Sequence, residues 1–574
     1  MIALSLAGVV ALATLVMLVT GFIAYRESQA LADSLRTMQQ QAREAQFADV
    51  AAELSSAQQS AHRLRQATWG PLWSGAEHIP GLGASVQAAR SLAVASDELL
   101  TSALPLSAPL TEASTGGFRA AGGGINLALL QQVTAQLPAV IKAAEVAQLE
   151  LADIDPASLP AALASPVTTA QRDLPRVVST ATSLNEAAER IPGLLGASAP
   201  RTWALLLQNP AEARGTGGIV GGYALINVDN GRASLAEVGA NDQLLPIQPI
   251  DTSVVGEDVR NLLGSDLAEW ASINLSPDFP TAAKLARQGF AQRNNEVDGI
   301  VAIDPYFVAA VLRMVGPVTY DGITLTPDNA VDYITRQVYF DQADSNAKDR
   351  VLVGLLGEVV RALFTKPLIT SELPGALQQM SANRHVQVWS ANVDEQEWLA
   401  STAVGGVLST EPGPILTVAL SNGAGNKIDS FVNTTIDFAP SDCIDGDPEP
   451  SVFTLTFTNV APEQLPGYIE VRNDGSTELG GERMLVAVYS APDALLIDST
   501  LNGKPASVTT LSEQDRTVWL LDVEVPRGAT SSVVMKFSQI PVAGVEPAVN
   551  VQPMAVPAQV TVRPVATCSV PPSS

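Results

Sequence analysis

The sequence predicts a multidomain chain: an N-terminal transmembrane helix with an α-helical stalk or bundle, a central α/β sandwich, and a C-terminal antiparallel β-sandwich. Three observations carry this expectation. Met1 to Tyr25 holds no charged side chain. Ala-rich helical periodicity then runs to about residue 200, and strands interleaved with helices follow as far as about residue 411. From Pro412 the helical periodicity stops, and short strands separated by turn residues take over. A chain of 574 residues is too long for one core. The expected segments are an anchor over 1–25, a stalk over 26–200, an α/β domain over 201–411 and a β-sandwich over 412–570.

The anchor follows from length. Twenty-five helical residues span about 37 Å, enough to cross a bilayer. The apolar run is longer than the core of a cleavable signal peptide and lacks a basic leader, so it reads as an uncleaved signal anchor. Beyond it, Leu31, Leu35, Met38, Ala42 and Ala45 alternate spacings of four and three. Phe47, Val50, Leu54, Ala57, Ala61 and Leu64 resume that rhythm after a phase slip. The result is a narrow, coiled-coil-like seam. Further helices are expected at Ser85–Leu100, Ile125–Leu151 and Thr168–Leu195, divided by the glycines of 115–124 and by Pro156, Pro160 and Pro166. Packed antiparallel, they would hold the remainder of the chain off the lipid.

The α/β domain opens on Trp203–Leu207, a continuous apolar run that reads as a strand buried on both faces and bounded by Asn209-Pro210. A polar loop follows, with Asn209, Glu212, Arg214 and Thr216 among Gly215, Gly217, Gly218 and Gly221. Ile219–Val228 and Ala233–Val238 flank an Asn230-Gly231 hairpin turn. Helices are expected at Thr281–Gln292, Pro305–Val315, Asn329–Val338, Ala347–Thr365 and Asp394–Ser401, and strands at Val297–Ile303 and His385–Ser390. The sandwich strands are expected at Ile415–Leu420, Ser451–Thr458, Arg483–Tyr489, Thr517–Val525, Ser532–Phe537 and Gln559–Val565.

Composition excludes several functions. The formal net charge is −26, and nucleic-acid binding needs a basic face. Three histidines, His62, His78 and His385, are too scattered in sequence for a His-rich metal site or a Ser-His-Asp triad. Gly215-Thr216-Gly217 follows a strand, but the third glycine of a dinucleotide fingerprint would fall on Val220, and no helix follows. Cys443 and Cys568 are the only cysteines and bracket the β-rich region, the pattern of a stapling disulfide in an exported domain. The body of the chain is therefore expected outside the cytoplasm, on a single-pass anchor in the cell membrane.

Three clusters can carry chemistry. In the glycine loop, Asn209, Glu212, Arg214 and Thr216, with the backbone of Gly217 and Gly218, are suited to hold a phosphate or carboxylate; equally, Glu212 and Arg214 can brace the loop against itself. Near residue 350, Asp344 and Asp349 suit a helix start, whereas Arg350 in a first turn calls for a bound anion. Asp442, Asp445, Asp447 and Glu449 present oxygens suited to Ca²⁺, but Gly446 is out of place for a calcium loop, and the segment reads as a solvated acidic turn.

Gln208-Asn-Pro-Ala-Glu-Ala-Arg-Gly-Thr-Gly-Gly218, Ser276-Pro-Asp-Phe-Pro280, and Asp298-Gly-Ile-Val-Ala-Ile-Asp304 leading to Gly316-Pro-Val318 resemble an exported, membrane-anchored Gram-positive family catalogued as domain of unknown function 4012. The resemblance covers residues 201–406, with Gly425-Asn-Lys-Ile-Asp429 consistent with it. More distantly, the order of these motifs is similar to the LytR-CpsA-Psr phosphotransferases, which move glycopolymers from a polyprenyl pyrophosphate carrier to the cell wall. That similarity implies an Arg and Asp clamp for the pyrophosphate and a divalent cation such as Mg²⁺. Carried over, Arg214, Asp242 and Arg350 are the catalytic candidates. The chain departs from the pattern at Gly217 and Gly218, where that family has a further Arg and Asp, and at Asn241, where it has an Arg. Half of the cationic clamp is missing, which weakens stabilisation of a transferring phosphoryl group.

The expected function is thus an extracytoplasmic, membrane-anchored cell-envelope protein. Its phosphotransferase-like domain would bind a polyprenyl-phosphate-linked or wall glycopolymer, either as an active glycopolymer phosphotransferase or in a catalytically degenerate site. The alternative is a non-enzymatic envelope scaffold or adhesion protein that binds another protein.

Overall fold

The computed structural model describes residues 2–117, 119–120, 123–244, 246–248, 251–263, 267–342, 344–369, 372, 375–376, 379–380, 383–441, 450–492, 494–539, 542 and 544–565. The chain forms two compact units that divide at Pro200 and Arg201, apart from short segments.

The first unit is helical. Its helices are α1 (Ile2–Arg43), α2 (Phe47–Thr68), α3 (Pro71–Ala76), α4 (Gly83–Ala103), α5 (Ser107–Glu112), α6 (Leu127–Thr134), α7 (Leu137–Ala152) and α8 (Ala161–Leu194). Contacts run α1 to α2, α2 to α4, α4 to α7 and α7 to α8. Small side chains permit this close packing: Ala57, Ala61 and Ala93 sit between Leu31, Leu54 and Leu100, and Ala144 and Ala147 lie beside Leu151 and Leu174. The expected helix at Ile125–Leu151 is two, because Asn126 caps α6 by accepting from Leu129 N and the chain breaks at Gln136 before α7. Conversely, Pro166 does not interrupt α8, which runs through Pro166, Pro175 and Pro192.

The N-terminal transmembrane helix is overturned. Among the described residues, no helix is long and apolar enough to cross a membrane. The apolar run is instead the opening of the 42-residue α1, and its later part is occupied by helix packing. Ala24 and Leu31 are buried with the α2 side chains Leu54 and Ala57. Trp73 Nε1 of α3 donates to Thr20 Oγ1 at 3.1 Å.

The second unit joins two sheet systems. A five-stranded sheet has the order β3-β2-β1-β4-β7, with β1 (Arg201–Arg214), β2 (Gly217–Asp229), β3 (Arg232–Ala240), β4 (Gly299–Ile303) and β7 (Val386–Ser390). Only β1 and β4 are parallel. On one face, Ala204 and Leu206 of β1 pack on Phe279, Leu285 and Phe290 of α10 (Phe279–Gln292), after the short α9 (Glu257–Leu263). On the other, Leu207 and Ile219 approach Leu352, Val353 and Leu356 of α14 (Ser345–Thr365). Between them come α11 (Pro305–Val315), a small hairpin of β5 (Val318–Tyr320) and β6 (Ile323–Leu325), and the short helices α12 (Ala330–Asp332) and α13 (Val338–Asp341).

The β-sandwich packs a six-stranded sheet, order β13-β12-β16-β10-β9-β18, on a five-stranded one, order β14-β15-β11-β8-β17. The strands are β8 (Ile415–Asn422), β9 (Val432–Ala439), β10 (Ser451–Asn459), β11 (Glu482–Ser490), β12 (Leu495–Leu501), β13 (Lys504–Pro505), β14 (Thr509–Glu513), β15 (Arg516–Val525), β16 (Thr530–Ser538), β17 (Ala548–Val551) and β18 (Gln559–Val562). All pair antiparallel except β17 on β8 and β18 on β9. Phe453, Phe457, Trp519 and Phe537 form the centre, with Trp519 and Phe537 ring centroids 4.8 Å apart. The pairing expected of Cys443 and Cys568 lies outside the described residues, as do Asp442, Asp445, Asp447 and Glu449.

Gly299 shows how closely the α/β core is filled. It pairs with Trp203 across β1 and β4, and a Cβ there would lie 2.2 Å from Trp203 Cζ3 and 2.6 Å from Trp389 O. Gly299→Ala is expected to cost about 1 to 3 kcal/mol through overpacking. Urea unfolding checks it, and a variant as stable as wild type would show that Trp203 can yield.

Candidate functional site

The stretch expected as a loop after Leu207 is strand. β1 continues through Asn209-Pro210 to Arg214, and its register on β2 shifts between Leu207 and Gln208 and again between Asn209 and Ala213. Pro210 lies in that second irregularity, where no ladder N–H is required of it. The turn proper is only Gly215-Thr216. Its glycines serve close approach: a Cβ at Gly215 would lie 2.1 Å from Leu275 O, and one at Gly218 would lie 2.2 Å from the Asn209 carbonyl carbon. Thr216 Oγ1 accepts from Gln208 Nε2 at 2.6 Å and from Asn274 Nδ2 at 2.9 Å.

The far end of β1 carries Glu212, Ala213 and Arg214 into the β-sandwich, where they meet Asn422, Lys427, Asp429 and Glu482. Arg214 is buried, and its donors are spent on protein: Nε on Ala271 O at 2.9 Å, Nη1 on Ala213 O at 2.8 Å and Asn422 O at 3.1 Å, and Nη2 on Glu212 Oε1 at 2.6 Å. Lys427 Nζ donates to the other oxygen of Glu212. Burial alone would raise the Glu212 carboxyl, but the charges and hydrogen bonds of Lys427 and Arg214 hold it below the usual carboxylate range. Ala213 N donates to Asp429 Oδ2 at 2.7 Å. Glutamate 212 is therefore an ionised carboxylate clasped from both sides.

Beside this clasp lies a small crevice of about 60 Å³ between β1, β2 and α14. Its polar wall includes Asn209, Lys348, Lys427, Tyr339 and Tyr468. Asn209 Nδ2 donates to Tyr339 Oη at 2.9 Å and to Ile334 O at 3.2 Å. Lys348 Nζ donates to Tyr468 Oη at 3.2 Å, pairs with Asp349 Oδ1 at 2.7 Å, and lies 4.9 Å from the Tyr468 ring centroid. This space accommodates a water or two.

The three catalytic candidates do not share an environment. Arg214 is buried in the clasp, whereas Asp242 is exposed on a turn of 3-10 helix and Arg350 is exposed on α14. It is their neighbours Asn241 and Asp349 that line the crevice. The reason for expecting an anion at Arg350 also falls away. With Asp344 as its cap, α14 begins at Ser345, which moves Arg350 beyond the first turn. As for the divalent cation implied by the resemblance, among the described residues no group of three or more His, Cys, Asp or Glu is placed to hold a metal ion.

The other motif acids have structural partners. Asp278 caps α10, accepting from Thr281 N at 3.1 Å, and also accepts from Leu408 N at 3.0 Å. Asp298 accepts from Thr202 N at 2.7 Å. Asp304 caps α11 and pairs with His385 Nδ1 at 2.6 Å. The residues that sequence reasoning passed over are Lys348, Tyr339, Asn422, Tyr468 and Glu482. Lysine scarcity was a usable signal: only seven of the 33 basic residues are Lys, and two of them meet here.

Arg214→Ala should destabilise the protein by about 3 to 5 kcal/mol, because it strips one partner from a buried ion. Asp242→Ala and Arg350→Ala should each stay within about 0.5 kcal/mol of wild type, as exposed substitutions do. Denaturant midpoints for the three variants decide the matter, and a stable Arg214→Ala would contradict a structural role.

Residues 198–339 match the family described as protein of unknown function, DUF4012. No curated protein and no solved structure matches the chain.

Proposed function

We propose that the protein is a non-enzymatic scaffold of the cell envelope that holds a partner protein. The observation that carries this reading is the occupation of Arg214: all of its hydrogen bonds go to protein carbonyls and to Glu212, leaving no fork for a phosphate. Lys348 and Lys427 are likewise paired, with Asp349 and Glu212. A LytR-CpsA-Psr-like phosphotransferase needs cations turned toward a substrate pyrophosphate. A crevice of about 60 Å³ is far smaller than ordinary ligand pockets. Placement outside the cytoplasm rests on cysteine usage, two in 574 residues, both in the β-rich C-terminal segment.

The test is genetic and chemical together. A D242A/R350A double variant should restore the wild-type phenotype to a strain lacking the gene. The purified protein should bind no polyprenyl pyrophosphate analogue in native mass spectrometry. A folded double variant that fails to complement, together with analogue binding by wild type, would return the phosphotransferase reading.

A further inference from the structure

The clasp contains more carboxyl groups than it has cations to balance. Glu212 comes from β1, Asp429 from the turn before β9, and Glu482 from the start of β11; all three are buried, against Arg214 and Lys427. Asn422 Nδ2 has two N–H groups, yet it faces Asp429 Oδ2 at 3.0 Å, Glu482 Oε2 at 3.0 Å and Asn426 Oδ1 at 3.1 Å. Glu482 Oε1 takes the Arg483 N–H at 2.9 Å. Asp429 Oδ1 has no N–H or hydroxyl donor, and the single Asn422 Nδ2 at 3.0 Å from an oxygen of each carboxyl sets Asp429 and Glu482 side by side. Two carboxylates cannot bond to each other; a carboxylic acid and a carboxylate can.

We propose that Asp429 and Glu482 share one proton, and that this proton operates the joint between β1 and the β-sandwich as a pH-sensitive clasp, closed in mild acid and loosened as the proton leaves. With the proton in place the cluster is electrically balanced, two cations against Glu212 and the shared negative charge. Without it, one buried negative charge is uncompensated. The loosened contact is specific, because Asp429 also accepts the Ala213 N–H that holds the end of β1. Other charged and titratable groups facing the region are Tyr339, Lys348 with its partner Asp349, and Tyr468; the guanidinium of Arg483 turns away to Asp522.

Burial pushes the Asp429 carboxyl up to about 6. Burial and the facing Asp429 push Glu482 well above the usual range. Both shifts are upward and belong to one pair, so the folded chain retains the shared proton that the unfolded chain releases. This stabilisation is complete below the ordinary carboxyl pKa and is lost as pH rises through about 6 and beyond. Glu212 runs the other way, and its contribution disappears only in stronger acid.

Glu482→Gln keeps the shape, supplies a permanent N–H to Asp429, and removes the titration. Urea midpoints of wild type should fall between about pH 5 and about pH 8.5. Exchange of the Ala213 amide, corrected for its intrinsic pH dependence, should accelerate over the same range. In Glu482→Gln the midpoint should be flat there and higher than wild type at the alkaline end. Asp429→Asn gives the same test if the first variant does not fold. A wild-type profile without this fall, or a fall that persists unchanged in the folded variant, overturns the proposal.

Discussion

Glu212 sits where a carboxylate is expensive to place, buried between two sheet systems, and it stays ionised because Arg214 and Lys427 approach it from opposite sides. That three-charge contact joins the first strand of one sheet to a turn more than two hundred residues later. A single carboxylate with one partner would not tolerate such burial; with two, and with Ala213 N anchored on Asp429, the end of β1 has one stable position. The turn at Gly215-Thr216, the close approach of Gly218 to Asn209 and the irregular pairing at Pro210 all serve that position.

The same constraint commits Arg214, the first member of the candidate anion clamp, to protein partners. An arginine that neutralises a buried glutamate has its guanidinium plane committed, and a second anion would have to break bonds at the floor of a packed interface. Lys348 is committed in a milder way, between Asp349 and the Tyr468 hydroxyl, with the Tyr468 ring beneath its ammonium group. The acids of the other motifs turn to helix caps and to backbone N–H groups. Motif density in this chain therefore reports the joints of the fold, where a short polar side chain is the cheapest way to satisfy a helix start or a sheet edge.

The helical unit follows a different economy. Its seam is alanine, so helices approach closely and each buries little area; stability comes from many turns in contact rather than from large side chains. That is also why the apolar opening of α1 misleads. Thr20 and Ala24 look like membrane residues in sequence, but Thr20 accepts from Trp73 and Ala24 packs on α2.

Local periodicity was enough to find most elements: Pro305–Val315 was expected and found as α11, His385–Ser390 answers to β7, and the sandwich strands at 451–459, 482–490 and 516–525 were visible as alternation. β9 at Val432–Ala439 was not among the expected strands, although its inward Val432, Thr434, Ile436 and Phe438 alternate with more exposed residues. Strand β1 was cut short at Asn209-Pro210 because a proline and polar side chains are local signs of a loop. What overrides them is not local, since Glu212 and Arg214 are extended by partners at Asn422, Lys427 and Asp429. The sequence by itself determined where helix gives way to mixed structure and mixed structure to strand, because those patterns repeat every two or four residues. The brace between Glu212 and Arg214, two residues apart, was already open in the sequence; that Lys427, 215 residues away, completes it was decided only by the tertiary structure, because a buried carboxylate chooses its cation by distance in space.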